Sequence, residues 1–582
     1  MGKTGKPHSF LRGAMILTLG VIAVKIMGAL FKIPLNWIIE EDGMGYFTTA
    51  YSFYSPIYSL ATAGFPVAIS RMVSLNIAKG RYHDVQQIHR VSVPVFLSVG
   101  VLGFIMILAG SRFYVRAMGN EDALPAMLVL APAILFSCMA SIYRGYYEGL
   151  RNMAPTAVSE MIEALCRLLF GLCASAFLLQ TGLREYELSG TVFGTPAASL
   201  EQARALALPW AAAGAIGGVT VGTAAGVLYL FLRHRLRGDG ISTQKGKRSP
   251  PPLSFGKTAK ILLKTALPIG LGAVAVNIAG LVDTTFLQVG VMGILSHDSA
   301  ALLKQYEGMI PVYHLQNPET IPNFLFGCYA NAHTLFMLIP AVTQAFGVSA
   351  LPNVTAAWGA SNPCALQKSM ESVLRMTALF SFPAGIGMAV LSGPIVSLLF
   401  GSRAAAPIIA RLLPVMAAGA VFASVSTPLQ SMLQAVGRVD IPLKLLGAGL
   451  LLKAGLNFWL TSIPELNILG AAVGTLSCYV LIAVGSFVAL QKVTGLRLRL
   501  SRTLLRPLAA SCICGAAAYG GYQALLRWSA DSPAITLGTI ALAGVCYVLS
   551  LFLLGVPGRE ELEQLPGGQK ISKLLAKRDG IE

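Results

Sequence analysis

The chain has 582 residues, of which 12% are charged and 55% hydrophobic, with a mean hydropathy of +0.66. Soluble domains carry about a quarter charged residues, so a cytosolic enzyme and a disordered chain are both excluded. The net charge of +18 would suggest nucleic acid in a soluble protein; in a chain this apolar it reports membrane topology instead, and no nucleic-acid partner is expected.

Apolar stretches bounded by charge or by Gly, Pro and Asn clusters predict fourteen helices, at 14–38, 46–75, 91–113, 123–143, 155–179, 207–232, 259–287, 325–357, 371–400, 404–434, 441–461, 467–490, 504–526 and 534–555. Each can cross a hydrocarbon layer that takes about 20 residues per span. The expected fold is therefore an all-α integral membrane protein. Basic residues before segment 1, with no small-residue cleavage pattern after it, mark that segment as a retained anchor.

Segment 1 carries Lys25 and Lys32, seven residues apart and thus on one helical face, with no acid on the same helix. An ionisable group in a bilayer costs roughly 2.5–3.5 kcal/mol on insertion scales and normally faces protein or a wet cavity. Two readings answer the need for an anion: a phosphate-bearing ligand in a central cavity, or acids on neighbouring helices. Segment 2 closes on Arg71, and segment 7 carries Lys264 near its cytoplasmic start. Both sit where a basic side chain also snorkels to the headgroups.

Segment 5 holds Glu160, Glu163 and Arg167. Glu163 and Arg167 stand at i, i+4 with the acid first, the favourable order for an ion pair, which leaves Glu160 without an evident partner. In segment 6, Gly214, Gly218, Gly222 and Gly226 form a smooth ridge suited to close helix packing. Asp283, placed near the outer end of segment 7, reads as an unpaired intramembrane carboxylate and a candidate for proton or cation coupling. Asn457, Thr461 and Ser477, in segments 11 and 12, offer hard oxygen ligands or interhelical hydrogen bonds. Lys453, deep in segment 11, belongs to an ion pair or a cavity.

With an even number of spans the termini share a side. The outer loops then hold only Arg112, Arg116, Arg184, Arg204, Lys304, Arg403 and Arg527, whereas the connector 233–260 alone carries eight basic residues. The positive-inside rule puts both termini on the cytoplasmic side. Residues 1–232 form an expected N-lobe of six helices, 233–258 a basic cytoplasmic linker, 259–490 a pseudo-symmetric six-helix C-lobe, and 491–582 two further helices and a tail. Val67–Arg71 and Ser349–Asn353, closing segments 2 and 8, echo one another, as expected of two repeats flanking a substrate path.

Catalytic and nucleotide motifs fail on inspection. Gly240–Arg248 resembles a phosphate loop but has one residue too many between its glycines and an arginine where magnesium needs Ser or Thr. The nine cysteines lack metal or disulfide spacing. A transporter is expected rather than an enzyme, with no cofactor beyond sodium or proton coupling.

The run Arg144-Gly-Tyr-Tyr-Glu-Gly-Leu-Arg-Asn-Met-Ala-Pro-Thr-Ala-Val-Ser-Glu160, followed by Glu163 and Arg167, resembles the helix 4–5 signature of the stage V sporulation protein B family. Gly64–Arg71 and the Lys25-Ile-Met-Gly28 pattern with Lys32 resemble it too. That family stands with the MurJ-type lipid II flippases in the multidrug/oligosaccharidyl-lipid/polysaccharide (MOP) exporter superfamily. The resemblance implies a monomeric alternating-access flippase for an undecaprenyl-pyrophosphate-linked sugar, working among membrane lipid in cell-wall, sporulation or polysaccharide biosynthesis. It implies that Lys25, Lys32 and Arg71, and more loosely Lys264, receive the pyrophosphate. Some such relatives bind sodium at positions matching Asp283, Asn457, Thr461, Val473 and Ser477, although Thr461 stands where they carry an acid. Glu148 and Glu160 stand where the family often has Gln. The rivals are a cation-coupled multidrug exporter, which would want acids in its cavity, and a non-transporting envelope scaffold, which would not need polar residues on facing lobe surfaces.

Overall fold

The structure, a computed structural model, describes residues 8–239, 249–401, 403–496, 498–499, 501–527 and 532–554. Before the linker run α1 (His8–Thr62), α2 (Gly64–Ala78), α3 (Tyr82–Ala117), α4 (Leu124–Leu130), α5 (Ala133–Gly149), α6 (Ala154–Ser189) and α7 (Leu200–Arg237). After it come α8 (Phe255–Gln305), α9 (Val312–Gln316), α10 (Ile321–Gly359), α11 (Pro363–Val390), α12 (Ser392–Phe400), α13 (Ala406–Ala435), α14 (Asp440–Leu460), α15 (Asn467–Thr494), α16 (Arg506–Leu526) and α17 (Pro533–Leu553). A two-residue antiparallel pair, Thr191–Val192 with Thr195–Pro196, caps the α6–α7 connection.

Every sequence-predicted segment falls on a helix, and twelve helical stretches among the described residues are long and apolar enough to cross a membrane. The chain is a multi-pass membrane protein. Several boundaries differ from expectation. Segment 1 and the first part of segment 2 are joined into α1, whose internal break is Glu40 at φ 54°, ψ −159°, and the rest of segment 2 falls on α2. A non-glycine residue at positive φ is strained, and Glu40 is held there in an ion pair with Arg204 at 2.8 Å. Segment 7, expected to end at 287, continues to Gln305 because Leu287, Val291 and Ile294 keep a buried apolar face beyond the polar residues that suggested a stop. Asp283 is thus well inside α8 rather than near its end.

The chain clusters into two compact units: Met1–Thr334 with Leu446–Gly474, and Leu335–Leu445 with Thr475–Glu582. This grouping departs from lobes at 1–232 and 259–490, because α8 packs with α1 and α2. A Cβ on Gly64 would overlap the carbonyl of Ala266, so α2 and α8 touch backbone to backbone there.

The core of the first unit runs through Leu35, Ile39, Ala68, Ile69, Phe96, Ile134, Ala211 and Ile216, all fully buried or nearly so. The glycine ridge of α7 lies on α6: a Cβ at Gly218 would meet the backbone of Gly171, and one at Gly222 the carbonyl of Glu163. In a bilayer, where lipid is as apolar as leucine, such close van der Waals approach supplies the association. The second unit has its own cores, one around Met370, Leu374, Leu429, Met432 and Leu433, another where Leu391 meets Cys514, Ala518 and Ala543.

Candidate functional site: intramembrane charges of the first unit

Three groups of charged or polar side chains lie within the first unit. The first is the set of bases. Lys32 sits on α1 before its kink and donates from Nζ to Thr334 Oγ1 at 3.4 Å; one turn on, Asn36 Nδ2 donates to Asn331 Oδ1 at 2.9 Å. These two rungs join α1 to α10, with the Asn rung fully buried. No carboxylate pairs with Lys32 among the described residues. Arg71 on α2 and Lys264 on α8 are exposed, and neither has an ion pair or hydrogen bond among the described residues. They ride on the two helices that meet at Gly64 and Ala266. Lys25 falls on α1, but its side chain lies outside the described residues.

The second group corrects the reading of Glu160 as partnerless. α5 runs on to Gly149, past the predicted end at 143, and so carries Arg144 back into the packed helices. Arg144 Nη2 donates to Glu163 Oε2 at 3.0 Å, and its Nη1 lies 3.9 Å from Glu160 Oε1. Arg167 Nη2 donates to the other oxygen of Glu163 at 3.2 Å, the i, i+4 pair expected from sequence. Glu163 is therefore shared by two arginines, with Arg144 Nε further fixed on Ser159 at 3.0 Å. A cavity of about 230 Å³ opens beside this cluster, lined by Tyr58, Thr62, Pro66, Ser137, Ala140, Ser141, Arg144, Glu148, Glu160 and Glu163. Glu148 is anchored there by the Thr156 hydroxyl at 3.2 Å.

The third group corrects the reading of Asp283 as unpaired. Lys453 Nζ donates to Asp283 Oδ2 at 2.7 Å, the Tyr329 hydroxyl donates to the same oxygen at 2.8 Å, and Asn457 Nδ2 donates to Oδ1 at 2.8 Å. Both ions are 4% exposed. A buried carboxylate normally survives only with a charge partner and satisfied lone pairs, and Asp283 has both. Three helices converge on it: α8 carries Asp283, α10 carries Tyr329, and α14 carries Lys453 and Asn457. Thr461, just past α14, donates its hydroxyl to the carbonyls of Phe286 at 3.0 Å and Asn457 at 2.6 Å. Val473 is half-buried in the same unit, whereas Ser477 falls in the second unit.

Sequence reasoning missed a further polar layer in this unit. Asn120 Nδ2 donates to Gln288 Oε1 at 3.1 Å and Asn323 Oδ1 at 2.9 Å, Gln288 Nε2 donates to Thr49 at 2.9 Å, and His314 Nε2 lies 3.0 Å from Asp42 Oδ2. The amides at 120, 288 and 323 come from three separate segments, so no local spacing joins them.

The family described as polysaccharide biosynthesis protein matches residues 10–195, and the MatE family matches residues 327–459. Lipid II flippase MurJ of Bacillus subtilis is 24% identical over 580 residues, covering 96% of this chain and 97% of that protein. Stage V sporulation protein B of the same organism is 24% identical over 570 residues, covering 96% and 98%. Among solved structures, lipid II flippase MurJ in an inward closed conformation superposes with a TM-score of 0.62 at 12% identity over 93% of this chain and 98% of that one. An inward-facing MATE-family multidrug transporter gives 0.60 at 14% over 82% and 98%. Along its full length the chain is similar to lipid II flippase MurJ and to stage V sporulation protein B, and its fold is shared with the solved MurJ and MATE-family transporters.

Proposed function

We propose that the protein is a flippase that moves an undecaprenyl-pyrophosphate-linked sugar from the cytoplasmic to the outer leaflet of the bacterial plasma membrane by alternating access. Its relatives along the whole chain carry the name of a lipid II flippase and of a sporulation protein. The observation that carries the reading to chemistry is a division of labour among the bases. Arg144, Arg167 and Lys453 are each neutralised by a carboxylate, whereas Lys32, Arg71 and Lys264 have none among the described residues.

Bases left without acids are free to take a phosphate. Arg71 suits a diphosphate because its planar guanidinium donates two parallel hydrogen bonds to phosphate oxygens, while Lys32 and Lys264 act as point charges. The polyprenyl tail stays in lipid, so only the head group needs a polar route. Each negative charge carried outward from a negative interior gains about 2.3 kcal/mol per 100 mV, which gives transport a driving force without a bound nucleotide. Both termini face the cytoplasm in this scheme, and the working unit is a monomer.

Native mass spectrometry of the purified protein tests the reading: co-bound undecaprenyl-pyrophosphate lipids are expected, and their loss in a Lys32→Gln/Arg71→Gln/Lys264→Gln variant that still inserts. A second reading, a cation-coupled multidrug exporter, is favoured by the MATE likeness of the fold. It is tested by efflux of a cationic dye from cells that express the protein.

A further inference from the structure

The positions that match a sodium site in some relatives do not fit a sodium ion here. Such an ion needs an anionic oxygen with an open face. Asp283 is the only carboxylate among those positions, and both of its oxygens already accept: Oδ2 from Lys453 and Tyr329, and Oδ1 from the Asn457 amide nitrogen; the Asn457 Oδ1, buried without a hydrogen bond, is a neutral oxygen. Thr461 adds no charge, and its proton is committed to backbone carbonyls. A sodium ion would have to displace a buried ammonium 2.7 Å from the carboxylate and strand it in a membrane interior, 4% exposed and without another acidic partner among the described residues.

We infer that the Lys453 ammonium is a tethered cation that takes the place of a free monovalent ion on Asp283, so that the first unit works without sodium at these positions. The lysine does electrostatically what a bound ion would do. It neutralises Asp283 and ties α14 to α8, while Tyr329 brings in α10. It differs in one respect: a cation fixed to the chain cannot be released to either side of the membrane. No ion gradient is therefore harvested here, and the charge moved per cycle is that of the substrate. The tie holds whichever substrate is carried, so its test is independent of the flippase reading.

The test uses the full-length protein in detergent or nanodiscs, with sodium as the only probe. Thermal unfolding is followed in sodium chloride and in choline chloride at equal ionic strength, together with retention of radioactive sodium on immobilised protein. Wild type is expected to show the same Tm in both salts and no retained sodium. Lys453→Met, which vacates the carboxylate, is expected to retain sodium and to gain a sodium-dependent rise in Tm of about 2 °C or more; adding Asp283→Asn should abolish both. A sodium-dependent Tm or retained sodium in wild type, lost in Asp283→Asn, would overturn the inference. So would a folded Lys453→Met protein that ignores sodium. Should Lys453→Met fail to fold, Lys453→Gln takes its place, and the wild-type measurement decides alone.

Discussion

Replacing Asp283 by Asn keeps the shape of the side chain and an oxygen for Tyr329 while deleting the charge that holds Lys453. Removing one partner of a buried ion pair typically costs about 3–5 kcal/mol, since the other charge is left uncompensated. With both ions 4% exposed and 2.7 Å apart, the expected destabilisation is about 3–4 kcal/mol. Lys453→Met should cost less, because the carboxylate keeps the hydrogen bonds from Tyr329 and Asn457. The double variant should recover most of the loss, with a coupling of at least about 2 kcal/mol. Unfolding free energies of the four proteins in detergent, at one pH and in sodium-free buffer, measure this directly. Single losses below about 1 kcal/mol that add in the double variant would show that the contact is incidental and would refute the reasoning.

Three further outcomes follow from the same contacts. Glu163→Gln removes the carboxylate that Arg144 and Arg167 share and should lower stability by about 2 kcal/mol, read as a fall in Tm; an unchanged Tm would mean that this shared carboxylate is not a structural tie. Gly218→Leu drives a side chain into the backbone of Gly171, where flexible neighbours cannot yield, so the loss should reach about 3 kcal/mol or more and appear as protease-sensitive, poorly folded protein. Arg71→Gln and Lys264→Gln, which break no contact among the described residues, should leave the unfolding free energy within the roughly 0.5 kcal/mol typical of surface changes. Each should nevertheless weaken binding of a polyprenyl-pyrophosphate lipid about tenfold in a nanodisc binding assay.

The helices were legible because a bilayer sets a minimum apolar length, and each predicted segment lands on one. Boundaries were harder to read. A charge at Arg144 looks like the start of a loop and predicts an end at 143 for the fourth segment, yet α5 continues to Gly149 and turns that arginine onto Glu163 and Glu160. Likewise α8 outruns the segment that ended at 287. The i, i+4 pair of Glu163 and Arg167 was readable from local spacing, but Lys453 and Asp283 are 170 positions apart and helical periodicity says nothing about such partners. One signal was present: segments 7 and 11 each hold a deep, isolated charge, of opposite sign, and two such charges in a low-dielectric interior are drawn to each other. The amides of Asn120, Gln288 and Asn323 left no comparable trace, since neutral polar residues are common in membrane helices and carry no sign to match.

Reconstitution into proteoliposomes, with a fluorescent polyprenyl-pyrophosphate sugar loaded in one leaflet and a membrane-impermeant quencher on the opposite side, tests the central claim most directly. Wild type should bring the sugar within reach of the quencher faster under a potential that is negative on the loaded side, and the Lys32→Gln/Arg71→Gln/Lys264→Gln protein should stay at the rate of empty vesicles. A wild-type protein that leaves the lipid where it was loaded, yet moves a cationic dye in the same vesicles, would contradict the account.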